Sequence, residues 1–81
     1  MAAKQYSYTV FFEPAPEGGY IVTVPALPGL VTEGDTLNEA REMARDAIRA
    51  YLESLIKDGE PIPEEKGAMQ EKVAVAVDAP F

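Results

Sequence analysis

One long amphipathic helix, with both ends marked in the sequence, limits the folds open to this chain. Thr36 with Glu39 three residues later has the pattern of a capping box, in which each side chain accepts the other residue's backbone N–H. Lys57, Gly59 and two following prolines predict an end near Asp58. Between these marks the apolar residues recur at offsets of three and four, which is typical of one buried face: Leu37, Ala40, Met43, Ala44, Ala47, Ile48, Tyr51, Leu52, Leu55 and Ile56. This face must pack on another element.

Four stretches of alternating residues predict the strands that this helix covers: residues 6–13, 20–24, 30–33 and 71–78. The first three are joined by a Pro/Gly loop and by a tight turn at residues 27–30, so they form an antiparallel meander. Because a strand–helix–strand crossover in one sheet is right-handed, the fourth strand is expected beside the first and parallel to it. The predicted fold is α+β, with three meander strands, a crossover helix, a fourth strand, and the helix as a single layer on one sheet.

A chain of 81 residues is long enough for one domain, residues 1–81, with a small core. Net stability of a lone subunit is expected to be modest, because ordering the chain offsets most of the gain from burial. Self-association into a dimer or tetramer is therefore expected. Ala74 and Ala76 would let two flat faces of the last strand approach, although they are equally well explained as small residues on a solvated face.

Composition excludes several functions. The chain has 14 acidic and 7 basic residues, and its net charge of −7 should repel phosphate, so direct binding of nucleic acid is not expected. It contains no Cys and no His, which removes disulfides, thiolate metal sites and the commonest general base. There is neither a signal-like N-terminus nor an apolar run long enough for a membrane, so a cytoplasmic protein without a membrane partner is expected.

Acidic residues near the predicted strands are the candidates for partner binding: Glu13, Glu17, Glu33 and Asp35. Such a surface could dock a small basic protein, whose association rate it would raise through complementary charge. Ordinary solubilising charge explains the same residues about equally well. Asp35 has a further structural explanation, since a carboxylate next to a helix N-terminus interacts favourably with the helix dipole.

The turn, the helix and the exit together form an ordered motif. It begins V-P-x-L-P-G, continues as G-D-T-x-x-E-A into the helix and ends in G-x-x-I-P. The matching residues are Val24, Pro25, Leu27, Pro28, Gly29, Gly34, Asp35, Thr36, Glu39, Ala40, Gly59, Ile62 and Pro63. This combination resembles the HicB-like antitoxin family, and the likeness covers roughly residues 6–77.

The resemblance implies a truncated ribonuclease-H-like layout and a function in a type II toxin-antitoxin pair. Under it, the chain would bind a small basic mRNA-cleaving toxin of the HicA type and cover the toxin's catalytic site, with no catalysis of its own. Many members of the family carry a C-terminal DNA-binding domain, and this sequence resembles a short form without one. Leu30 stands where the family often has Cys, and Glu65 where it often has a second exit proline.

Two other functions remain open at this point. One is a stand-alone oligomeric HicB-like domain that acts as a scaffold or binds a small ligand without any toxin. The other is a nuclease, because ribonuclease-H-like enzymes gather carboxylates around two metal ions. Glu13 is predicted on a strand, whereas Asp46 and Glu53 are predicted on the charged helix face away from the sheet, so we expect no catalytic cluster, no metal and no cofactor.

Overall fold

The computed structural model describes residues 4–65, 69 and 71–79. In this part of the chain, three strands are followed by one helix: β1 (Phe11–Pro14), β2 (Tyr20–Thr23), β3 (Val31–Gly34) and α1 (Leu37–Lys57). The strands form an antiparallel sheet in the order β1-β2-β3, with Val22 opposite Phe12 on one side and Thr32 on the other. The predicted α+β fold, a three-strand meander followed by a helix, is confirmed.

The helix begins after Thr36 and ends before Asp58, as predicted, although of the two bonds of the capping box only one is formed. The Glu39 N–H donates to Thr36 Oγ1 at 3.1 Å, while Thr36 itself has extended backbone dihedrals, as an N-cap residue should. At the other end Gly59 has a φ of +70°, its N–H donates to the carbonyl of Ile56, and the Glu60 N–H donates to that of Leu55. These two bonds form a Schellman motif, which leaves few unpaired carbonyls at the end of the helix.

The core lies between α1 and one face of the sheet, in two clusters. Val22, Ala40 and Ala44 form the first, and Val24, Leu27, Leu30 and Leu52 form the second. The turn at residues 27–30 delivers Leu27 and Leu30 to the second cluster, and its Leu30 N–H donates to the Leu27 carbonyl at 3.1 Å. Gly29 has a φ of +86°, which a type II turn requires at this position, so the predicted tight turn is confirmed.

The first strand is shorter than residues 6–13, because its neighbour ends early. Phe11 is opposite Thr23, and the chain beyond Thr23 soon reaches Pro25, which has no N–H for a ladder. Residues before Phe11 are held by other bonds. Tyr8 Oη donates to the carbonyl of Pro63 at 2.6 Å, and the backbone N–H and hydroxyl of Thr9 donate to the two carboxylate oxygens of Glu65 at 2.7 and 2.8 Å.

The fourth strand, predicted at residues 71–78, is not formed in the structure. Residues 71–79 have no ladder to the sheet, and Val73, Val75 and Val77 are 74%, 78% and 81% exposed. Alternation of valine and alanine favours a strand only where a neighbour supplies backbone partners, and the Thr9 N–H just before β1 is already bonded to the Glu65 side chain. The ribonuclease-H-like layout, which depends on this strand, is not confirmed.

Candidate partner-binding face

One face of the sheet is left uncovered by the helix. Since side chains alternate along a strand and Val22 points into the core, Ile21 and Thr23 beside it in β2 lie on the opposite side, together with their partners in the ladder. We call this side the outer face: Phe11, Glu13, Ile21, Thr23, Val31 and Glu33. Ile21 is 39% exposed and Val31 is 65% exposed, so the outer face presents apolar surface as well as charge.

The strand register places Glu13, Ile21 and Glu33 in one row across the outer face. Ile21 is the partner of Glu13 in β1 and of Glu33 in β3. Adjacent strands are about 4.8 Å apart, so the two glutamates lie about 10 Å from each other across the sheet. All three side chains are exposed. The result is an apolar side chain between two carboxylates.

The other two predicted residues, Glu17 and Asp35, lie at the same end of the sheet. Glu17 is in the turn between β1 and β2, where the Gly18 N–H donates to the Ala15 carbonyl at 3.0 Å. Asp35 directly follows β3, and a Cβ atom on Gly19 would lie 3.3 Å from its Cα atom. The β1–β2 turn therefore abuts the end of β3, and both carboxylates are exposed there. The fold gathers all four candidates at the hairpin end of the sheet.

Charge is segregated between the sheet and the helix. No Lys or Arg occurs between Gln5 and Ala40, a stretch that contains all three strands. Within the described residues, the salt bridges join Arg45 with Glu42 and Arg49 with Asp46 on α1, and none involves the outer face. In the part of the chain that the structure describes, no basic side chain forms a salt bridge with the carboxylates of the hairpin end.

Ile21 and Val31 are not among the residues predicted from the sequence, because that prediction rested on charge alone. The signal was present in the strand pattern. Val22 is the central buried residue of β2, so its neighbour Ile21 had to lie on the other face. Ile21 and Val31 thus add exposed apolar surface to the candidate residues of the outer face.

The described residues offer neither a metal site nor a helix that could cross a membrane. Among the described residues, no three acidic side chains are grouped closely enough to hold a metal ion. The helix α1 is not apolar enough over a sufficient length to cross a membrane. Glu13 lies on the outer face of the sheet, whereas Asp46 and Glu53 lie exposed on α1, so these three do not form a carboxylate cluster.

The pKa of Tyr8 is raised above its ordinary value of 10.0. Burial is the main cause, and the negative charges of Tyr6, Glu64 and Glu65 add to it. The Tyr8 hydroxyl therefore stays protonated and keeps donating to the Pro63 carbonyl. This contact has a structural role, since it fastens the segment before β1 to the segment after α1.

Comparison with known proteins gives one family match, described as "HicB_like antitoxin of bacterial toxin-antitoxin system", over residues 8–77. A UPF0150 protein of Thermoplasma acidophilum is 52% identical over 56 residues, which are 69% of this chain and 81% of that protein. Antitoxin HicB 1 of Photorhabdus laumondii is 47% identical over 60 residues, 74% of this chain and 39% of the antitoxin.

Antitoxin HicB of Escherichia coli strain K12 is 43% identical over 56 residues, which are 69% of this chain and 41% of that protein. The chain therefore matches less than half the length of these two antitoxins, but most of the Thermoplasma protein. The family match includes all three strands, the helix and the motif at residues 24–63. On this evidence the chain belongs to the HicB-like antitoxin family.

Proposed function

We propose that this protein is the antitoxin of a toxin-antitoxin pair and that its outer face binds a small basic toxin of the HicA type. Support comes from its family and from relatives that carry the name antitoxin HicB. The toxin would be an mRNA-cleaving enzyme, and the antitoxin would silence it by covering the catalytic site. The antitoxin itself contributes no chemical step.

The observation that carries this proposal is the row of Glu13, Ile21 and Glu33. Binding surfaces between proteins combine an apolar centre, which is desolvated in the complex, with polar groups around it. Ile21 supplies the centre, and the two glutamates supply charge opposite in sign to that of an RNA-binding enzyme. Glu17 and Asp35 extend the negative potential beyond the end of the sheet.

The sheet also fixes the backbone positions from which these side chains project before any partner arrives. Glu13, Ile21 and Glu33 each lie on a strand of the ladder, and Val22 beside Ile21 is fully buried against α1. A rigid surface loses little conformational entropy on binding, so more of the contact energy remains as affinity. Charge on such a surface mainly accelerates association, while the apolar contact slows dissociation.

The test begins by purifying the chain together with the small basic proteins of its own host. A partner that cleaves RNA alone and loses this activity in the complex is the expected result. If no RNA-cleaving partner is recovered, the antitoxin function is wrong, and a stand-alone oligomeric domain that serves as a scaffold becomes the better account.

Two charge-reversal variants then locate the interface. Glu13→Lys with Glu33→Lys should weaken the complex at least about tenfold, because it reverses both charges of the row. The matched control is Glu53→Lys with Glu60→Lys, which makes the same change in net charge at exposed positions away from the outer face. Equal loss of affinity in both variants would show a general effect of net charge and would remove the outer face from the interface.

A further inference from the structure

An open groove lies beside residues 7–12, which lead into β1, on the side of the sheet that carries the helix. Its floor is formed by Tyr8, Val10, Phe12, Ala44 and Ile48, and its volume is about 450 Å³. We call it the β1 groove. Just before β1 the Thr9 N–H is bonded to Glu65, but the backbone groups on the free side of the outer strand β1 itself have no strand partner within the described residues. The groove thus offers both an apolar floor and a ladder edge.

The segment of residues 71–79 has complementary properties and is itself without a partner in the structure. Its three valines alternate with alanines, and all three are more than 70% exposed. In an extended strand they would stand on one side about 6.6 Å apart, as the side chains of β1 do. The family match runs to residue 77, so these valines are part of the shared domain. We call residues 71–79 the valine segment.

We propose that the valine segment of one copy adds as a strand to β1 of a second copy and fills its β1 groove. Val73, Val75 and Val77 would face Val10, Phe12 and Ile48, while the backbone would continue the sheet. Charges agree with this pairing. Arg41 and Arg45, the latter paired with Glu42, line the groove, and the three valines are flanked by Glu71 and Lys72 before them and by Asp78 after them, a net charge of −1. An exchange in both directions gives a two-fold dimer in which both grooves are filled.

The bond between Glu65 and Thr9 favours docking of the valine segment on a second copy rather than on its own copy. Glu65 is bonded to Thr9, directly before β1. An uninterrupted parallel strand that started there would bring residue 70 to Pro14, and its valines would lie beyond the end of β1. A valine segment from another copy has no such constraint on its register.

The dimensions of the chain agree with a segment that reaches away from its own core. The radius of gyration is 16.4 Å, whereas a compact chain of this length has one of about 12 Å. The longest extent is 60 Å and the shortest is 21 Å. This inference is independent of the toxin, because it uses the β1 edge and not the outer face.

The experiment measures the mass of the full chain in solution by native mass spectrometry and light scattering over a range of concentrations. We expect the mass of two chains for the natural sequence. Val75→Asp should raise the dimer dissociation constant at least about tenfold, because it places a charge in the apolar groove. Ala76→Asp is the matched control, since it adds the same charge on the other side of the segment, and it should remain a dimer.

A natural sequence that stays monomeric would overturn the proposal, as would a Val75→Asp variant that dimerises as well as Ala76→Asp. Hydrogen exchange tests whether the segment docks on its own copy. In the exchanged dimer every second amide of residues 73–77, namely those that face β1, should be protected at high concentration and lose protection on dilution. Protection that is independent of concentration would show docking within one chain and would also overturn the proposal.

Discussion

Gly34, the last residue of β3, touches the backbone of Ala40 in the first turn of α1. A Cβ atom on Gly34 would lie 2.5 Å from the Ala40 nitrogen and 2.7 Å from its Cα atom. Ala40 is fully buried, so neither residue has room for a larger side chain. Since Asp35 and Thr36 alone connect the two elements, this contact fixes the angle at which the helix leaves the sheet. It also holds Glu33 and Asp35 at the hairpin end.

Gly34→Ala should therefore destabilise the fold, by about 3 kcal/mol, because backbone atoms rather than a flexible side chain stand in the way. The free energy of unfolding, measured in urea with an unchanged slope, tests this. Gly18→Ala is the control. Gly18 has open space around its Cβ position but a φ of +104°, so this variant should cost only about 1 kcal/mol from backbone strain. Equal losses would show that the contact with Ala40 is not tight.

Tyr8 makes stability depend on alkaline pH. Its pKa is raised in the folded state above 10.0, so the protonated hydroxyl stabilises the fold at all pH values below the unfolded pKa. This contribution is lost as pH rises through the folded pKa, when ionisation removes the donor to Pro63. We expect the free energy of unfolding to fall more steeply above pH 10 in the natural sequence than in Tyr8→Phe.

Comparison with Tyr8→Phe is essential because Tyr6, Tyr20 and Tyr51 are also present. At neutral pH this variant should be less stable by about 1 kcal/mol, since it lacks one hydrogen bond. The measurement is urea unfolding followed by circular dichroism from pH 7 to pH 11. If the two proteins lost stability in parallel above pH 10, Tyr8 would not be the group responsible.

Local markers explain which parts of the fold could be predicted from the sequence. Thr36 and Gly59 act on backbone groups within a few residues, so the ends of α1 followed directly from their positions. The length of β1, and whether residues 71–78 form a strand, depend instead on which segment, distant in the sequence, lies beside them. Pro25 shortens the ladder and Glu65 bonds to Thr9. The residues next to them in the sequence predict neither effect.

For the candidate site, the sequence predicted the residues but not their arrangement. Acidic residues near the strands could be named from their charge, whereas their grouping required the register. Glu13 and Glu33 are brought into one row by the two antiparallel pairings with Ile21. That register depends on the turn at Gly18 and Gly19, both with positive φ, which ends the ladder after Pro14 and Tyr20.

The carboxylate of Glu65 links the segment that follows α1 to the segment that precedes β1. It accepts from both the N–H and the hydroxyl of Thr9. Glu65→Ala should lower the free energy of unfolding by about 1–3 kcal/mol, because hydrogen bonds to a charged acceptor are strong and the Thr9 N–H is partly buried. Glu64→Ala is the control, since Glu64 is exposed and adjacent. Equal effects would mean that the two bonds contribute nothing.

The outer face predicts that charge and apolar contact act on different rates of toxin binding, which rests on the proposed function. Glu13→Gln with Glu33→Gln should lower the association rate constant several-fold and weaken its dependence on salt. Ile21→Ser should instead raise the dissociation rate about tenfold, because truncation of a desolvated centre acts mainly after the complex has formed. Stopped-flow or surface-plasmon measurements at two ionic strengths separate these effects.

Thr23→Ser provides the control for Ile21→Ser, since it also lies on the outer face of β2 and changes little apolar area. Its rates should match those of the natural sequence. If Ile21→Ser left the dissociation rate unchanged while the glutamine variant still slowed association, the toxin would be attracted by the outer face but bound elsewhere. The apolar centre of the interface would then have to be sought on another surface of the chain.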